Sequence, residues 1–72
     1  MSQQKSLTNF DKGKSLRFAR NYLEFTLEQM AERLSLDPLY LAQLEDARRE
    51  IDNWYLRQAE DLVRDFEKIS SK

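Results

Sequence analysis

Apolar residues recur at spacings of three and four along most of the chain, and no run alternates apolar and polar with the period of two that a half-buried strand needs. The pattern predicts an all-α chain. Leu16, Ala19 and Tyr22 or Leu23 define a first helix from about Phe10 or Lys12 to Leu23 or Glu24. Leu27, Met30, Ala31 and Leu34 form one side of a second helix, about two turns long, and Thr26 with Gln29 three residues later has the capping-box form that starts it. Asp37 followed by Pro38 combines an N-cap residue with a proline at the first helical position, so a third helix opens there. That helix carries Leu41, Leu44 and Glu45 inward and ends between Asp46 and Arg49. Asp52 or Asn53 can cap a last, longer helix in which Tyr55 or Leu56, Ala59, Leu62 or Val63, and Phe66 repeat, with Ile51 and Trp54 at its entrance. Trp54 and Phe66 are expected in the core, with Trp54 exposed at a dimer surface as the alternative. Residues 1–8 read as a flexible N-terminal segment, residues 9–69 as a single domain of four to five helices, and residues 70–72 as a tail.

Composition changes this picture mainly by exclusion. A chain of 72 residues, 40% of them hydrophobic, holds one small core, and such a core supplies only about 3 to 5 kcal/mol of net stability. A partner or a homodimer would add to it. With neither cysteine nor histidine in the chain, disulfides, Cys/His metal ligation, thiol nucleophiles and imidazole acid–base chemistry are excluded, and no metal or cofactor is expected. Carboxylates are plentiful, but nothing pairs them in a cleft that would perturb their acidity, so the chain does not read as an enzyme. No apolar run approaches the ~20 residues of a membrane helix, and the polar start Met1-Ser2-Gln3-Gln4-Lys5 is no signal peptide, which together predict a cytoplasmic protein with no membrane role.

Charge is unevenly distributed although the formal net charge is only −1. Residues 1–20 hold Lys5, Lys12, Lys14, Arg17 and Arg20 against Asp11 alone, whereas from Glu24 to Asp46 the acids Glu24, Glu28, Glu32, Asp37, Glu45 and Asp46 face the single base Arg33. The middle of the chain is acidic.

Two short helices joined by three or four residues, with the small Ala31 where they meet, suit the steep crossing of a helix-turn-helix over about residues 26–46. The stretches "LRFAR" (Leu16 to Arg20), "TLEQMAERL" (Thr26 to Leu34) and "YLAQLEDARREI" (Tyr40 to Ile51) resemble the helix-turn-helix family of the lambda-type phage repressors and Cro proteins, over roughly residues 13–66. The resemblance implies a lambda-repressor-like fold in which an Arg of the first helix pairs with a Glu ending the recognition helix; Arg20 and Glu45 occupy those places. The departures fall on functional positions. Leu27 stands where the family often has a Gln against the DNA backbone, Asp37, Pro38 and Leu39 occupy the first base-facing places, and Ala47 replaces the Gly usual after the recognition helix. Advancing 100° per residue from Leu41 turns Leu39, Ala42, Gln43 and Asp46 outward. Of these only Gln43 suits base reading.

Three functional expectations follow. The favoured one is a transcription regulator of a phage-type switch that binds the basic DNA-binding face of a partner repressor through Glu28, Glu32, Asp37, Leu39, Tyr40, Gln43 and Asp46. In size and fold it resembles the small modulator-of-repression (anti-repressor) proteins of temperate phages. The alternative is a Cro-like repressor that holds DNA through Thr26, Pro38, Leu39, Gln43, Arg48 and Arg49, with Lys12, Lys14 and Arg17 near phosphates. A purely structural module is the third. Each residue also has an ordinary reading: Gln43 as a solvated amide, Arg48 and Arg49 as partners of Glu45, Asp46 or Glu50, Leu39 as a lone exposed apolar side chain, Tyr40 as a ring leaning on the first helix, and Glu24, Glu28 and Glu32 as solvated surface.

Overall fold

Residues 8–70 are those described by the computed structural model, and they form four α-helices: α1 (Asn9–Tyr22), α2 (Leu27–Arg33), α3 (Pro38–Glu45) and α4 (Asn53–Ser70). Every helix start has a local cause. Thr8, expected in the flexible segment, instead caps α1, its Oγ1 accepting from the Asp11 N–H at 3.1 Å. Residues 1–7 of that segment lie outside the described residues, as do residues 71 and 72 of the expected tail, while Ser70 is the last residue of α4. The capping box is complete: Thr26 Oγ1 accepts from Gln29 N at 3.1 Å, and Gln29 Oε1 accepts from Thr26 N at 2.8 Å. Asp37 occupies the N-cap place of α3 with Pro38 behind it, but its side chain makes no capping hydrogen bond. For α4 the cap is Asp52, whose carboxylate accepts from Trp54 N at 2.9 Å.

The helix ends share one device. Glu24, Ser35 and Ala47 follow the caps of α1, α2 and α3 with φ values of 60°, 59° and 62°. In each case the next amide reaches back to a carbonyl five residues earlier: Phe25 to Arg20 at 3.1 Å, Leu36 to Ala31 at 2.7 Å, Arg48 to Gln43 at 2.9 Å. These are Schellman closures, a motif that ordinarily puts glycine at the left-handed position.

Leu16, Met30, Leu34, Leu41, Leu44 and Ile51 are fully buried, and Ala31, also fully buried, lets α2 and α3 pack closely. α1 lies between α3 and α4, and α2 packs on α3. The start of α1 is tied to the start of α4 by Asn9, which donates to the Arg49 carbonyl at 2.7 Å and accepts from the Ile51 N–H at 2.8 Å. At the other end the Tyr22 hydroxyl donates to Glu67 at 3.0 Å. The two helices therefore run side by side in the same direction. Gly13 is buried where α1 crosses the end of α3: a Cβ there would sit 2.7 Å from the Leu44 carbonyl oxygen and 2.9 Å from that of Glu45.

Two expected core residues are not in the core. Trp54 is 50% exposed and meets Tyr55 edge-on with ring centroids 5.1 Å apart, and Phe66 is 40% exposed against the Tyr22 ring at 5.7 Å. Trp54 lies five residues before the buried Ala59, which at 100° per residue turns it to the far side of α4. Phe66 faces the right way, but α1 ends at Tyr22 and leaves it only partly covered.

Candidate interaction face

The C-terminal end of α3 is fixed by charge. The Glu45 carboxylate, whose side chain is 3% exposed, receives two parallel hydrogen bonds from Arg20, Nε to Oε2 at 2.8 Å and Nη2 to Oε1 at 3.0 Å. Arg20 Nη1 donates a third bond to the Phe25 carbonyl at 3.3 Å, joining the end of α1 to the same anchor. The hydrogen bond to Glu45 raises the Arg20 pKa above its ordinary value against the opposing effect of burial. Arg17, one turn earlier on α1, sits 3.6 Å from Glu45 and 2.9 Å from Asp46. A fork of this kind satisfies a buried carboxylate that would otherwise carry a large desolvation cost.

The N-terminal end of α3 is built differently. Leu39 is 67% exposed. Tyr40 is half-buried, with the Arg49 guanidinium 5.1 Å over its ring, and Arg49 Nε also donates to Gln43 Oε1. Asp37, Leu39, Tyr40, Gln43 and Arg49 line one shallow hollow with Ser35 and Leu36. The structure thus brings five of the expected residues together. Pro38 is half-buried at the first turn of α3. Glu28 and Glu32, one turn apart on α2, are exposed, and neither they nor Asp37 joins an ion pair among the described residues. The one base of that helix, Arg33, turns instead over the Phe25 ring at 5.0 Å.

Asp46 lies apart from the hollow, at the fixed end of α3, where Arg17 holds it and Arg48 approaches to 4.0 Å. Thr26 spends its hydroxyl on the capping box. Of the basic N-terminal group, Lys12 reaches the Ile51 carbonyl at 3.4 Å, Lys14 lies over the Phe10 ring at 5.4 Å and Arg17 pairs with Asp46. Reading the sequence misses Arg17 as a holder of α3, although its spacing of three from Arg20 places both on one side of α1. It also misses the Arg49–Gln43–Tyr40 clasp, which no local pattern signals because the chain reverses between the residues.

Among the described residues no cluster of acidic side chains is arranged to hold a metal ion, and no helix is long and apolar enough to cross a membrane. Comparison with protein-family models, curated proteins and solved structures gives no match.

Proposed function

We propose that this chain is a lambda-repressor-like helix-turn-helix regulator that acts by occupying a partner repressor, with α2 and α3 as the motif and the outer end of α3 as the docking surface. One observation carries the reading: an apolar side chain, Leu39, stands 67% exposed at the start of α3, and the carboxylates of α2 and of the α3 start, Glu28, Glu32 and Asp37, join no ion pair among the described residues. Meanwhile Arg17, Arg48 and Arg49 are drawn toward the protein's own Asp46, Tyr40 and Gln43. DNA attraction depends on cationic side chains that displace counterions from phosphates. A surface with this polarity suits the opposite partner, the basic face with which a repressor grips its operator. Complementary charge steers the encounter, and a desolvated apolar centre prolongs it. In that setting the protein lifts a repressor from DNA, as a phage-type switch requires.

Operator binding by the chain itself has less support. A bidentate contact of Gln43 to adenine needs its amide oxygen, which already accepts from Arg49. The deciding experiment is a gel-shift assay with the repressor encoded beside this protein and that repressor's operator. Adding the protein releases the repressor–DNA complex, while Leu39→Ala and Glu28→Lys/Glu32→Lys fail to do so at equal concentration. A specific shift of the operator by this protein alone, with the repressor complex untouched, would refute the proposal.

A further inference from the structure

Large apolar side chains stand exposed not only at α3 but also along the seam of α1 and α4. Phe18 is 71% exposed and stacks on Tyr22 at 6.3 Å, and Phe66 and Ile69 continue the exposure at 40% and 74%. Between the helices lies an open groove whose floor includes Phe18, Ala19, Leu56, Ala59 and Val63, with Arg57 and Glu60 on its α4 side. An exposed apolar groove with a polar rim suits a protein contact.

The rim says which protein. Arg57, Glu60, Arg64 and Glu67 fall on one side of α4 by helical periodicity, and Glu67 is held there by the Tyr22 hydroxyl. The signs run plus, minus, plus, minus. A two-fold axis through the level of Leu62, midway between Glu60 and Arg64, sets two α4 helices antiparallel. It then puts Arg57 opposite Glu67 of a second copy and Glu60 opposite its Arg64, so all four facing pairs are of opposite sign. A uniformly basic or uniformly acidic partner satisfies only half of this stripe. Among the described residues the one ion pair that competes for this stripe, Arg64 with Asp61 at 3.6 Å, is exposed on both sides and gives way at little cost.

We infer that the chain forms a two-fold homodimer through the α1–α4 groove, with antiparallel α4 helices framing Phe18, Leu56 and Val63. The contact is self-complementary, as a two-fold interface must be. Phe18 and Arg20 lie 200° apart around α1, so pairing through Phe18 leaves the α3 side of each copy free. The dimer therefore stands or falls independently of the docking reading.

Sedimentation equilibrium of the full chain, from micromolar to about 1 mM, the regime where weak association becomes visible, tests it. The expected result is a concentration-dependent rise from 8.7 kDa toward twice that mass. Glu60→Lys turns both of its pairs repulsive and weakens association about tenfold, Arg64→Glu does the same, and the double variant recovers most of the loss, because exposed pairs add modestly when correct and cost similarly when reversed. Phe18→Ser, at an exposed site that leaves the helical circular dichroism unchanged, abolishes dimerisation. A monomer mass at every concentration overturns the inference. So does a dimer indifferent to Glu60→Lys and Phe18→Ser, a double variant without recovery, or a groove that becomes protected from hydrogen exchange only when a different protein is added.

Discussion

Ala47 carries a conformation that suits it poorly. At φ 62° its Cβ crowds the neighbouring carbonyl, and a left-handed backbone costs a residue with a side chain about 1 to 2 kcal/mol. Glycine removes that cost but loses more freedom on folding, by about 0.5 to 1 kcal/mol. The difference favours glycine, so Ala47→Gly should stabilise the domain by about 0.5 to 1 kcal/mol, visible in urea unfolding followed by circular dichroism as a higher midpoint with unchanged slope. A lower midpoint would contradict the left-handed assignment. Arg20 presents the opposite case. Removing it strands the Glu45 carboxylate, 3% exposed in its side chain, and breaking such a pair typically costs about 3 to 5 kcal/mol. That is comparable to the whole net stability a core of this size provides. Arg20→Ala should therefore populate the unfolded state at room temperature, and a melting curve like that of the parent would show the fork to be dispensable.

At the scale of the helices, the starts of α2 and α3 and most buried faces were legible in the sequence, while the fit of one helix against another was not. The capping box of Thr26 and Gln29, and the Asp37–Pro38 start, involve residues within one turn of each other, so a linear reading suffices. The helix ends gave weaker signals: Glu24, Ser35 and Ala47 occupy places where glycine would have announced the turn. Gly13 belongs to the same class. It is the only glycine in the chain, and its reason is a pair of carbonyls on another helix, which helical periodicity cannot reveal. Periodicity did place Phe66 on the inner side of α4, but burial also needs a facing element, and α1 stops too soon to supply one. Of the residues in the proposed docking surface, the outward turn of Leu39 followed from counting 100° per residue, whereas the capture of Arg49 by Tyr40 and Gln43 required the chain reversal itself. The hydrogen bond that pins α1 to α4 makes a separate test possible. Tyr22 donates to Glu67, which raises the Tyr22 pKa above the ordinary 10.0. Because the folded value is the higher one, this contribution is complete below pH 10.0 and is lost as the pH rises through the raised value. An absorbance titration at the tyrosinate band should contain a late-ionising contribution from Tyr22, and Glu67→Gln should move that contribution to lower pH. Unchanged ionisation in that variant would remove the bond from the account.

For the molecule as a whole, the segregation of charge bears on the proposed encounter with a basic partner. If Glu28, Glu32 and Asp37 guide it to a basic surface, the association rate should fall as salt shortens the Debye length from about 10 Å at 0.1 M. Glu28→Gln/Glu32→Gln should flatten that dependence. Leu39→Ala should leave the salt slope alone and shorten the lifetime of the complex, since truncating an apolar centre acts mainly on dissociation. Stopped-flow binding to the repressor separates the two effects. Identical salt slopes for the parent and the double Gln variant would take steering away from α2.

The unequal treatment of the two ends of α3 has a mechanical meaning. The Arg20–Glu45 fork, Arg17 and the close approach at Gly13 hold the helix at its C-terminal end, while at the other end Asp37 gives no side-chain cap and Leu39 stands in solvent above the buried Leu41. The angle at which Leu39 is offered is therefore referenced to α1 through charges at the opposite end of the same short helix, so aim and touch are assigned to different residues.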